Sequence, residues 1–306
     1  MMKQEKHFGH DATTPPLQVW GQIDLGDLLA LDCVTAGLFR NRCSEDNRNG
    51  RVFGGQLIAQ ALIAAQCSVP EERTPSSLQV IFMQGAATGS AVDYQVEPLQ
   101  DGKRFSSRRV VALQDGVDVI SAHASFASPF EAASHTARPR LHYPAPEQVT
   151  GMHELHTRLG FEGIDWMTYE KPCIELRIIA PEQHLTGCSP APQMAFWVRL
   201  RGALDDTPQA HVAALAYLSD YWINSAAITH HIPARDAHAA SYIASLNHTV
   251  WFHVPGRADG WLLFECDSPA MQHGRALSQA RIYDHAGVLL ASVAQECLFV
   301  PRQRQG

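Results

Sequence analysis

The chain has 306 residues and a mass of 33.7 kDa, about twice an ordinary single-domain length, so two domains are expected. With 45% hydrophobic and 18% charged residues it holds enough apolar material for packed cores and lacks the profile of a disordered chain. A net charge of −7 and a pI near 6.1 exclude a general polyanion binder, so nucleic acid is not an expected partner.

Residues 1–10 carry no apolar signal core, 18 apolar residues nowhere run together, and the C-terminus is not a Ser-Lys-Leu address; a cytoplasmic protein without membrane insertion is expected. The seven cysteines are scattered without a CxxC pair, which argues against a disulfide framework or zinc knuckle. The first clear element starts at Gly54-Gly55, where Leu57, Ile58, Ala61, Leu62 and Ala65 recur at helical spacing in an alanine-rich run. Segments 78–82, 92–96, 106–113 and 117–126 then alternate or run apolar between glycine turns, as antiparallel hairpins do. Pro129, Pro139, Pro144 and Pro146 interrupt a polar stretch that cannot sustain helix or central strand. An N-terminal domain over 20–130, a linker over 131–150 and a C-terminal domain over 151–303 follow from this. Thr207-Pro208 supplies an N-cap and first-turn proline for a second helix through Tyr217, and strands are expected at 250–253, 261–266, 278–283 and 288–300.

The two halves look like copies. Gly85 and Gly256, Gly89 and Gly260, Gly116 and Gly287, and Ser121 and Ser292 stand 171 residues apart; Gly102 and Gly274, Ser106 and Ser278, and Arg109 and Arg281 stand 172 apart. Aligning the helices sets Asp220 opposite Ala65, and the 171 offset sets Gln295 opposite Ala124, so the polar groups occur only in the second copy. A small-residue helix can approach a sheet closely, which favours one helix wrapped by antiparallel strands, twice.

Several strings, in order, carry a family resemblance: Arg51-Val52-Phe53-Gly54-Gly55-Gln56, Asp101-Gly102-Lys103-Arg104-Phe105-Ser106-Ser107-Arg108-Arg109, Leu218-Ser219-Asp220, Ser245-Leu246-Asn247-His248-Thr249-Val250-Trp251-Phe252-His253 and Gln295-Glu296. Over residues 30–300 the chain resembles the acyl-CoA thioesterase II (TesB-type) family. The resemblance implies an α+β double hot-dog fold, two antiparallel sheets each wrapping a central helix and fused in one chain. It implies hydrolysis of fatty acyl-CoA to acid and CoA, with no metal or other cofactor and no acyl-enzyme, by a homo-oligomer (dimer or tetramer). It places the catalytic roles on Asp220, Ser245 and Gln295, which hold and activate a water. The residues fit this chemistry: Asp220, just past a helix C-terminus and partly buried, would be a carboxylate of raised pKa, and Ser245 and Gln295 are neutral groups able to orient a water.

Each candidate has a plainer explanation. An aspartate after a helix is ordinarily a cap, and a strand serine or glutamine an ordinary hydrogen-bonding group. Gly54 and Gly55 could present backbone N–H groups to substrate or only allow close packing. Arg108 and Arg109 could meet CoA phosphates or pair with acids. Strand alternation places Ser245, Asn247 and Thr249 on one face and His248 on the other, favouring a structural His248 although it too is a substrate-binding candidate. His153 and His156 lack a third ligand, so no metal site is expected there. The family commonly has Phe-Leu-Arg-Pro-Gly where this chain has Phe82-Met83-Gln84-Gly85-Ala86, and an acid where Asn247 stands. The alternatives are an acyl-CoA-binding double hot-dog without turnover, and a hot-dog enoyl-CoA hydratase, which would need a histidine about five residues after the aspartate, where Asn224 stands.

Overall fold

A computed structural model describes residues 19–47, 50–159 and 170–302; the N-terminal segment read above and residue 303 lie outside them. In chain order the first half runs β1 (Val19–Trp20), α1 (Leu25–Leu29), β2 (Leu31–Thr35), β3 (Leu38–Asn41), β4 (Ser44–Glu45), α2 (Gly54–Gln66), β5 (Thr74–Phe82), β6 (Asp93–Asp101), β7 (Phe105–Gln114) and β8 (Val117–Ala127). The second half runs α3 (Met152–Leu159), β9 (Ile174–Ile178), α4 (Pro181–Leu185), β10 (Gln193–Leu200), α5 (Pro208–Ser219), α6 (Ser225–Ile228), α7 (Ala234–Ala240), β11 (Ser241–Phe252), β12 (Leu262–Gln272), β13 (Arg275–Asp284) and β14 (Leu289–Pro301).

The strands order as β2-β3-β6-β7-β8-β5 in the first half and β9-β10-β12-β13-β14-β11 outward-in in the second, the same sequence of equivalent strands around one long helix. This is the double hot-dog. The two half-sheets are not separate: β5 pairs antiparallel with β11, Val80 opposite His248 and Ser77 opposite Trp251, making one sheet of 12 strands. Helices α2 and α5 are almost wholly buried under it, and their alanines let the axes lie close to the strands and to each other.

Two details fix the relation between the halves. Gly116 and Gly287 both turn in the left-handed region, φ 79° and 78°, so the 171 offset holds at that hairpin. The ladder of β5 on β8 shifts by one residue between Pro75 and Ser77, and the ladder of β11 on β14 shifts between Ser245 and Asn247. The same β-bulge is therefore present twice, pairing Pro75 with Ser245, Leu78 with His248 and Ala124 with Gln295. The 172 offset does not hold. Arg108 faces Ala124 where Ser278 faces Gln295, so Ser106 with Ser278 and Arg109 with Arg281 are out of step by two residues. The helix alignment also moves: the C-cap of α2 is Cys67, not Ala65, and it is the counterpart of Asp220 at the C-cap of α5.

The proline-rich connection is not a loose tether. Tyr143 Oη and the Arg140 amide donate to Glu265 Oε1 at 2.8 and 2.9 Å, and Trp197 Nε1 donates to Pro144 O at 2.9 Å. It is laid along the outer face of the second half-sheet, where Val149, Trp197, Leu263, Tyr283 and Leu289 form a small cluster.

Candidate active site

Asp220 ends α5. Thr207 caps the start of that helix by accepting from Ala210 N at 3.2 Å, and Pro208 fills the first turn, so the helix is punctuated as the sequence suggests. Its C-terminal turn lies against the N-terminal turn of α2 from the other half. A side chain on Gly55 would strike the carbonyl oxygen of Tyr217 and the ring of Phe53, and a Cβ on Gly54 would lie 2.6 Å from Asp220 Oδ2. The two glycines thus admit the carboxylate to the end of α2, where the Gly55 N–H donates to it.

Burial pushes Asp220 up to about 6, against the opposing pull of hydrogen bonds from Gln295 and Gly55 and the charge of Lys171. The raised pKa expected from the sequence is present, but its cause is desolvation alone. The negative end of α5 is answered by the positive end of α2.

Gln295 joins the three candidates. Its Nε2 donates to Ser245 Oγ at 3.0 Å and its side chain also hydrogen-bonds Asp220, so both amide protons are directed into the site. Its Oε1 receives His248 Nδ1, and His248 Nε2 lies 2.9 Å from Ser219 Oγ. Burial holds the His248 imidazole down to about 4, so at neutral pH it has one proton, which faces the Gln295 oxygen from Nδ1, and the bare Nε2 shares the single Ser219 Oγ proton with the Ala216 carbonyl, 2.7 Å from that hydroxyl. His248 therefore fixes which way the Gln295 amide points. It is fully buried, with both ring nitrogens engaged by Gln295 and Ser219, the structural position that strand alternation favoured over substrate binding.

The bulge at Leu246 explains how Ser245 and His248 reach one glutamine. It reverses the alternation, turning Ser245 and His248 inward and Asn247 outward, where Asn247 Nδ2 donates to Glu296 Oε2 at 3.2 Å. The expected shared face of Ser245 and Asn247 is overturned, and the missing acid at Asn247 is not a charge beside Ser245. Cys297, opposite Ser245, is buried with its thiol pushed up to about 12 and stays protonated.

The arginine candidates lie elsewhere. Arg108 is buried near the other end of α2, its guanidinium donating to Ser68 Oγ and O, Gln100 O and Asp101, which leaves it no reach toward a CoA phosphate at this site. Arg109 is on the outer face of β7, 3.5 Å from Glu97. Phe82, from the altered string, packs its ring against Gly54, and Gly85 O accepts from Arg51. Sequence reasoning missed a buried trio beside Asp220: Lys171 Nζ is 2.7 Å from Glu45 Oε2, Tyr217 Oη donates to the same oxygen at 2.7 Å, and Lys171 sits 3.5 Å over the Phe53 ring. Nothing local marks these residues, since Glu45 and Lys171 come from different halves.

Family models for acyl-CoA thioesterase match both halves, the N-terminal domain over residues 44–127 and the C-terminal domain over 142–299. Acyl-coenzyme A thioesterase 8 of Mus musculus is 32% identical over 302 residues, covering 90% of this chain and 92% of that protein. The chain belongs to the TesB-type acyl-CoA thioesterase family. Among family relatives, acyl-CoA thioesterase 2 of Haemophilus influenzae is 28% identical over 276 residues, covering 89% of this chain and 95% of its own. The crystal structure of acyl-CoA thioesterase II TesB2 from Mycobacterium marinum superposes with a TM-score of 0.75 at 28% identity over 92% of this chain and 99% of that one.

Proposed function

We propose that the chain hydrolyses acyl-CoA thioesters to carboxylic acid and CoA, with Asp220 as general base for a water held by Ser245 and Gln295. The observation that carries this reading is a buried carboxylate at a pKa of about 6, bound to Gln295, which also donates to Ser245. A thioester carbonyl is already electrophilic, so the reaction needs a positioned water and a base poised near neutrality. The water oxygen bonds to the carbonyl carbon while Asp220 takes its proton; the C–S bond then breaks and the departing sulfur receives that proton. The names of the relatives supply the acyl-CoA, and family membership places the reaction among thioester hydrolyses. A cytoplasmic homo-oligomer belongs to the same reading.

Purified protein offered short, long and branched acyl-CoAs should release free thiol, and Asp220→Ala should lower turnover by at least about 10² with substrate binding largely kept. Bound acyl-CoA without thiol release would favour a binding protein, and near-wild-type turnover by the variant would remove Asp220 from the mechanism.

A further inference from the structure

The pairing of α2 with α5 has two ends. At one, the start of α2 meets the end of α5 and Asp220. At the other, the end of α2 meets the start of α5, and there Gln66, Thr207 and Pro208 line a cavity of about 500 Å³. By the duplication this is the counterpart of the candidate active site. The duplicated bulge pairs Ser245 with Pro75, His248 with Leu78 and Gln295 with Ala124, and the helix caps pair Asp220 with Cys67. Every group that holds or activates water is gone, while a cavity within the usual small-molecule range is kept.

Two residues that line the cavity also carry buried hydrogen-bond donors without a partner. Among the described residues, five buried side-chain N or O atoms have no hydrogen-bond partner, and the two nitrogens that must donate, Arg73 Nε and His211 Nε2, both belong to residues lining this cavity. His211 is only 6% exposed. Its Nδ1 accepts from the Ala258 amide at 3.3 Å, so Nε2 is the nitrogen that donates. The nearest carboxylate, Asp206, is 3.9 Å from that nitrogen and is committed to Arg257 at 2.6 Å. Arg73 directs its two terminal nitrogens to Ser106 Oγ and Gly102 O, which leaves Nε over. A buried donor left unmatched costs about 1–3 kcal/mol, and two on the walls of one cavity would both be answered by an acceptor from outside the chain toward which they turn. Val212, Leu215, Phe252 and Val254 give the same cavity apolar walls.

We infer that this cavity is a second, non-catalytic acyl site that binds a long-chain carboxylate, its oxygens taken by His211 and Arg73 and its chain by the apolar walls. Such an acid is also the product of the hydrolysis proposed above.

The test is binding, not turnover. Displacement of a fluorescent fatty-acid probe by dodecanoate is measured on Asp220→Asn protein, alone and combined with His211→Phe or Arg73→Met. Saturable dodecanoate binding is expected, weakened about tenfold by either added substitution, and dodecanol, which lacks the carboxylate, should bind at least about tenfold more weakly than dodecanoate. In the otherwise wild-type chain, His211→Phe and Arg73→Met should retain thiol release, which shows that they fold. If one fails to fold, the other and the dodecanol comparison carry the test. No saturable binding overturns the proposal. So does dodecanoate binding that ignores both substitutions, or that is abolished by Gly54→Leu, which fills the catalytic end, while His211→Phe leaves it unchanged.

Discussion

Asp220 is held in a state the fold pays for. Its carboxyl titrates at 3.8 in an open chain and at about 6 here, so the folded protein prefers it protonated. The stabilisation this gives is complete below pH 3.8 and is lost as pH rises through about 6. An amide in place of the carboxyl would not titrate. The unfolding free energy of Asp220→Asn, minus that of wild type, should therefore rise by about 2 kcal/mol between pH 4 and pH 8, as denaturant titrations at the two pH values would read. A pH-independent difference would mean that Asp220 is not desolvated. The sequence made this residue legible through its place after a helix and its family motif. It could not show the role of His248, because plain strand alternation sends His248 and Ser245 to opposite faces and only the bulge at Leu246 brings both onto Gln295. One extra residue in a ladder has no signature in the pattern of apolar and polar positions.

At the scale of elements, the site is the abutment of two helix ends. The start of α2 brings a backbone donor to the carboxylate that ends α5, and Gly54 leaves room for it. Gly54→Ala should keep the fold, because alanine favours a helix over glycine by about 1 kcal/mol. Its methyl would displace the Asp220 carboxylate, and a shift of about 1 Å at a reacting group can cost about 10² in rate. Thiol-release kinetics should show the loss in kcat with an unchanged unfolding midpoint; retained kcat would mean the carboxylate has other room. The glycine pair and both helices were readable from composition and spacing. Their contact was not, since it joins distant stretches of the chain, Gly55 lying on the backbone carbonyl of Tyr217.

The whole molecule is a duplicated fold that has the Asp220, Ser245 and Gln295 cluster at only one end of its helix pair. The glycine at the tip of each β-turn in β7–β8 and β13–β14 made the duplication visible, because Gly116 and Gly287 share a left-handed conformation that other residues rarely adopt. The neighbouring matches at Ser106 and Arg109 were chance repeats of common residues, and the strand ladders overrule them. The join of β5 to β11 carries Ile81 and Trp251, 60% and 41% exposed, on its outer face. Burying such side chains favours association, and light scattering should give a mass of two or four chains; a stable monomer mass would contradict it.

The central claim is that Asp220 must lose its proton before water can be activated. The direct measurement is kcat for thiol release across pH 4.5–8.5 in wild type and Asp220→Asn. Wild type should rise along a single acid limb with an apparent pKa near 6 and level off above it, while the variant is slow by about 10² or more and lacks that limb. A wild-type rate that is flat through pH 6, or an acid limb that persists in Asp220→Asn, would contradict the account.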